Sequence, residues 1–172
     1  MMPTGKITEE TQPRAGLTLT VPDMARILIV GDDDSDTERL KTAFREAGLT
    51  SESANSITAG CEAARSGRFQ VVFSQPLLAD GSWRRLIDVA QHHDLSFELV
   101  LLARSFNLGE WAEAIQEGAF DVLDVLYDLP KAAETAKRAL GTAYLKRFRT
   151  PAEPARPGSV SVMSSRLVFT IP

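Results

Sequence analysis

The sequence predicts an α/β fold built on one doubly wound sheet of five parallel strands. Two observations predict it. Short apolar runs alternate with amphipathic stretches five times over about 120 residues, the rhythm of successive βαβ units. Most of those runs are continuously apolar, as strands covered by helices on both faces must be. A chain of 172 residues with 44% hydrophobic content has enough apolar material for one such core.

The elements follow in order. "RILIV" (Arg26–Val30) is the first buried strand. In "GDDDSDTERLKTAFREAGL", Ser35 and Glu38 have the spacing of a capping box, which predicts a helix from near Asp36. Leu40, Ala43, Phe44 and Ala47 form its apolar stripe, and Gly48 ends it. "TSESA" is a weakly patterned second strand, and "TAGCEAARSG" a short helix closed by Gly67. "FQVVFS" (Phe69–Ser74) is the third strand, and "SWRRLIDVAQHH" a helix with Trp83, Leu86, Ile87 and Ala90 inward. "FELVLLA" (Phe97–Ala103) is the fourth strand, followed by the helix "GEWAEAIQEG", which Gly118 ends. "DVLDVL" (Asp121–Leu126) is the fifth strand. The last helix is "LPKAAETAKRALGTAYLKRF", whose Pro130 suits a first turn.

Residues 1–24 read as a flexible tail, 25–148 as the domain, and 149–172 as a Pro-rich linker and tail. In the last segment Val160–Met163 and Leu167–Ile171 have the alternation of short strands. Met24, just before the first strand, is a candidate start. A net charge of −4 and a pI near 5.2 argue against nucleic-acid and anionic-membrane partners. No apolar run approaches the roughly 20 residues of a membrane span. The single cysteine, Cys61, leaves no internal disulfide and fits a cytoplasmic location. It reads as a small core residue rather than a nucleophile, and His92 and His93, adjacent on a helix, are a poor metal pair.

In a doubly wound sheet the functional site lies beyond the carboxyl ends of the strands. That rule brings Gly31–Asp34, Gln75–Ala79 and Ala103–Asn107 together. In "ARILIVGDDDSD", "FQVVFSQPLLADGS", "ELVLLARS" and "EGAFDVLDVLYDL" the chain resembles the receiver domain of bacterial two-component response regulators, from about Ala25 to Leu140. The resemblance implies the strand order 2-1-3-4-5. It also implies a phosphoacceptor aspartate ending the third strand, and that position is Gln75. The family's two metal-binding acids match Gly31 and Asp32, with Asp33 and Asp34 further along. Its phosphate-binding Thr or Ser matches Leu102, its Lys matches Val125, its cis proline matches Leu126, and its aromatic switch residue matches Val122. An amide cannot attack phosphorus, and aliphatic side chains neither hydrogen-bond nor neutralise a phosphoryl group.

The expectation is therefore a degenerate site at Gly31, Asp32, Gln75, Leu102 and Val125 in a phosphorylation-independent interaction module. It needs no cofactor and holds no metal, Asp32 and Asp33 being the nearest to a ligand pair. Its partner is a signalling protein or a second copy of the chain, through the face that receivers use: fourth helix, fifth strand and fifth helix. That face carries Trp111, Ile115, Tyr127, Ala133, Ala136 and Lys137, and an alanine stripe including Ala132 and Ala139 lets a partner backbone approach. Two alternatives stand beside it. One is a Mg²⁺-dependent phosphatase or phosphotransferase using Asp32 and Asp34, because a strand followed by Asp-x-Asp resembles haloacid-dehalogenase-type phosphatases. The other is a small-ligand sensor in the vacated pocket.

Overall fold

The structure is a computed structural model, and it describes residues 26–149. The predicted N-terminal tail and the strand-like stretches after residue 149 lie outside the described residues. Five strands, β1 (Arg26–Val30), β2 (Thr50–Ala54), β3 (Val71–Ser74), β4 (Glu98–Ala103) and β5 (Asp121–Asp124), form one parallel sheet in the order β2-β1-β3-β4-β5. Between them run α1 (Asp34–Glu46), α2 (Ile57–Arg65), α3 (Arg84–His92) and α4 (Leu108–Gln116). A 3₁₀ turn (Leu129–Lys131) leads into α5 (Ala132–Arg149). A two-residue hairpin ladder, Leu77–Leu78 against Gly81–Ser82, projects after β3.

The two-residue period of each strand divides the core into two layers. Ile27, Ile29, Val71, Phe73, Val100, Leu102, Leu123 and Val125 face α1 and α5. Leu28, Val30, Val72, Leu99, Leu101 and Val122 face α2, α3 and α4. Phe44 of α1 meets Phe73 with ring centroids 5.1 Å apart, a tilted pair that locks α1 over the centre of the sheet. Ala132, Ala136 and Ala139 of α5 are buried against this layer. The alanine stripe that the sequence suggested for a partner is thus consumed by the domain itself. Small side chains let α5 lie close to the sheet, and Ala136, at 0% exposure, cannot touch a partner.

Several boundaries differ from the sequence expectation. Helix α1 begins at Asp34, and its cap is Asp33, whose Oδ1 accepts from the Asp36 N–H at 2.9 Å. The Ser35–Glu38 pair lies inside the helix, so the second acid in the run outcompetes the predicted box. Strand β3 is shorter than Phe69–Ser74, and β5 stops at Asp124 rather than Leu126. Asp124 ends β5 chemically: its Oδ1 accepts from Leu126 N–H at 2.8 Å and its carbonyl from Asp128 N–H at 2.6 Å, which turns the chain. Helix α5 continues through Arg149, one residue beyond the expected end of the domain.

Candidate functional site

The parallel strands bring the loops after β1, β3 and β4 to one end of the sheet. Gln75 directly follows β3, and its N–H donates to Val30 O at 2.9 Å, so its backbone extends the β1–β3 ladder. From there its side chain turns towards the β1 loop, where Oε1 accepts from Asp32 N–H at 2.7 Å. The same oxygen lies 2.7 Å from where a Cβ on Gly31 would be. Any side chain at residue 31 would displace the Gln75 amide, so the glycine and the glutamine are mutually fitted. The structure therefore brings Gly31, Asp32 and Gln75 together, as the sequence reading placed them.

Leu102 and Val125 are 4% and 3% exposed, ordinary members of the core layer under α1 and α5. Val122 lies in the opposite layer and is buried as well. The Val125–Leu126 peptide is trans. None of these three positions offers a polar side-chain atom to a ligand.

The acidic loop is organised by a residue that the sequence reading did not single out. Arg104, the first residue after β4, places one terminal guanidinium nitrogen 3.1 Å from Asp33 Oδ2 and 2.9 Å from Asp36 Oδ2. The Asp33 carboxyl is held below the usual range, first by the Asp36 N–H it caps and then by Arg104. The signal was present: the order 2-1-3-4-5 sets the β1 and β4 loops on either side of β3, with Asp-rich sequence in one and Arg in the other. A second missed residue is Asp80 in the β3 hairpin. Its two carboxylate oxygens accept from Ile57 and Thr58 N–H at 2.9 and 2.8 Å, at the start of α2. Those bonds, that of Thr58 foremost, hold its pKa at about 2.

On the face formed by α4, β5 and α5, Tyr127 is 77% exposed and Trp111 36%. Lys137 is exposed, while Ile115 and Ala133 are half-buried. Asp121 joins the three elements: its carboxylate accepts from Trp111 Nε1–H of α4 and from Arg138 of α5, each at 3.4 Å. Cys61 is buried, and desolvation pushes its thiol pKa up, away from the thiolate form. His92 and His93 are exposed at the end of α3.

Comparison with known proteins decides the fold. The signal receiver domain of an HD domain-containing protein from Pseudomonas fluorescens superimposes with a TM-score of 0.66 at 23% identity, covering 76% of this chain and 96% of that one. A CheY-like response regulator receiver domain from Methanospirillum hungatei gives 0.62 at 18% identity, covering 72% and 98%. The chemotaxis protein CheY4 of Vibrio cholerae gives 0.60 at 20% identity, covering 67% and 98%. The chain has the receiver fold. No family model and no curated protein sequence matches it.

The receiver fold implies a divalent cation among acids at the carboxyl end of the sheet, and the residues here do not fit one. Gly31 has no carboxylate, and Gln75 is a neutral amide already bonded to Asp32 N–H. Asp33 is committed to the helix cap and, with Asp36, to Arg104. Among the described residues no three His, Cys, Asp or Glu side chains gather as a ligand set, and no helix is long and apolar enough to cross a membrane.

Proposed function

We propose that this chain is a phosphorylation-independent receiver-like module of signal transduction that works by binding protein, in the cytoplasm, and is not an enzyme. The observation that carries this reading is the Gln75 amide set against Gly31 and bonded to Asp32 N–H. It puts a neutral, non-nucleophilic group where receiver chemistry needs an anionic nucleophile, and it fills the space a metal-binding side chain at residue 31 would take. The aliphatic Leu102 and Val125 add to it, since neither can bind a phosphoryl oxygen.

The surface left for function is the face of α4, β5 and α5, with Trp111 and Tyr127 as its aromatic anchors and Lys137 at its rim. Its partner is a signalling protein or a second copy of the chain, and neither nucleic acid nor membrane. The test is exposure of the full chain to acetyl phosphate, and separately to beryllofluoride, with Mg²⁺. The expected intact mass is unchanged and the amide spectrum unperturbed. A stoichiometric adduct overturns the reading.

A further inference from the structure

Four aspartates stand within five residues at the start of α1: Asp32, Asp33, Asp34 and Asp36. Neighbouring carboxylates repel one another, and the partial positive charge of a helix N-terminus offsets only part of that. In the receiver fold this is the place of a divalent cation, which the residues here do not fit. We propose that the Arg104 guanidinium is the resident cation of this domain, neutralising Asp33 and Asp36 and tying the β4–α4 loop to α1 without metal.

Three features support this assignment. First, one Arg104 nitrogen lies within 3.1 Å of an oxygen of each carboxylate. Second, the carboxylates are prepared for it. Asp33 is already fixed by capping α1, and the Asp36 side chain is only 13% exposed and also accepts from Arg39 at 3.4 Å, so Arg104 is the main group to lose rotamer freedom when its contact forms. Third, an arginine stays charged at any physiological pH and cannot dissociate as a metal does. The tie is also mechanical. Arg104 follows β4 directly, and the loop reaches the Asn107 cap of α4 within three residues. Gln75 supplies a second tie, from the end of β3 to the same acidic loop. Together they hold the loops after β1, β3 and β4 in one arrangement.

The experiment is amide hydrogen exchange on the full chain, followed at residues 33–37 and 104–111, with EDTA or with millimolar Mg²⁺. Wild-type exchange should be the same in both. Arg104→Ala should speed exchange in both segments about fivefold, the scale of one favourable exposed ion pair. Exchange in β1 and β3 should stay unchanged, and Arg104→Lys, which keeps the charge, should retain most of the protection. Asp36→Asn removes one carboxylate instead, and adding Arg104→Ala to it should have less effect than in wild type. Wild-type exchange that responds to Mg²⁺, or an Arg104→Ala loop as protected as wild type, overturns the proposal. An Arg104→Lys loop as loose as that of Arg104→Ala overturns the cation role.

Discussion

Gln75 and Gly31 are coupled through a single amide oxygen. A methyl group added at residue 31 meets Gln75 Oε1 at 2.7 Å and must push the amide off Asp32 N–H. Losing such a bond costs about 0.5–1.5 kcal/mol. Gly→Ala at a tolerant position otherwise stabilises by about 0.4–1 kcal/mol, through the unfolded chain. The two effects oppose each other in the wild type, and only the second survives once Gln75 is shortened. Gly31→Ala should therefore be neutral or destabilising alone and stabilising in a Gln75→Ala background, with a coupling of about 1 kcal/mol in denaturant melts. Additive effects would mean that the two residues do not interlock. The same geometry argues that Gln75→Asp alone recovers no receiver chemistry. The new carboxylate gains no lysine at Val125, no acid at Gly31, and an Arg104 already engaged by Asp33 and Asp36. Rapid Mg²⁺-dependent labelling of that variant by acetyl phosphate would show that Asp32 and Asp34 form a working metal site after all.

Among the elements, α2 depends on a residue far from it in sequence. Asp80 grips the first turn of α2 through Ile57 and Thr58 N–H, beside the cap that Ser56 gives to Ala59 N–H. Its pKa falls from the ordinary 3.8 to about 2 in the folded chain. A depressed carboxylate pKa adds stability that is complete above the unfolded value and lost as pH falls through the folded one. The stability difference between wild type and Asp80→Asn should therefore be constant above about pH 4 and shrink towards about pH 2. A difference that grows on acidification would assign the opposite sign. Asp80 also shows what the sequence left hidden. The order of elements was readable because apolar runs and glycines report local geometry, and the sheet order came with the family resemblance. Even the weak "TSESA" emerged as β2, paired along its whole length with β1. Contacts between distant loops carry no such periodic signal. Asp80 and Arg104 drew no notice in the sequence, and Ala136 was placed on an interaction face. Each is defined by a neighbour that the sheet order, and no local pattern, brings to it. The α1 cap was missed for a local reason: three consecutive aspartates precede Ser35, and any of them can accept a helix N–H.

At the scale of the whole molecule, receivers signal by moving between two arrangements, and a ligand shifts such an equilibrium only by its differential affinity for the two states. The resemblance matches the family's hydroxyl, lysine and switch-ring positions to Leu102, Val125 and Val122, all buried in close-packed layers. Apolar packing of this kind favours one arrangement. Association through the face of α4, β5 and α5 should therefore be constitutive, the same with or without Mg²⁺ and beryllofluoride. The face must be probed at residues that reach solvent. Trp111→Glu and Tyr127→Glu place a charge on exposed aromatic side chains, the first of them bonded to Asp121. Each should weaken self-association or partner capture at least tenfold, about 1.4 kcal/mol, with little change in melting temperature. Lys137→Glu, at the rim, should mainly slow association and steepen no melting transition. Ala136→Arg is a different experiment, because it forces a long cation into a fully buried position under α5. It should unfold the domain rather than report on binding. Sedimentation equilibrium and light scattering on the four variants, each paired with a thermal melt, separate the two effects. If both aromatic variants associate as the wild type does while keeping its melting temperature, binding lies on another surface.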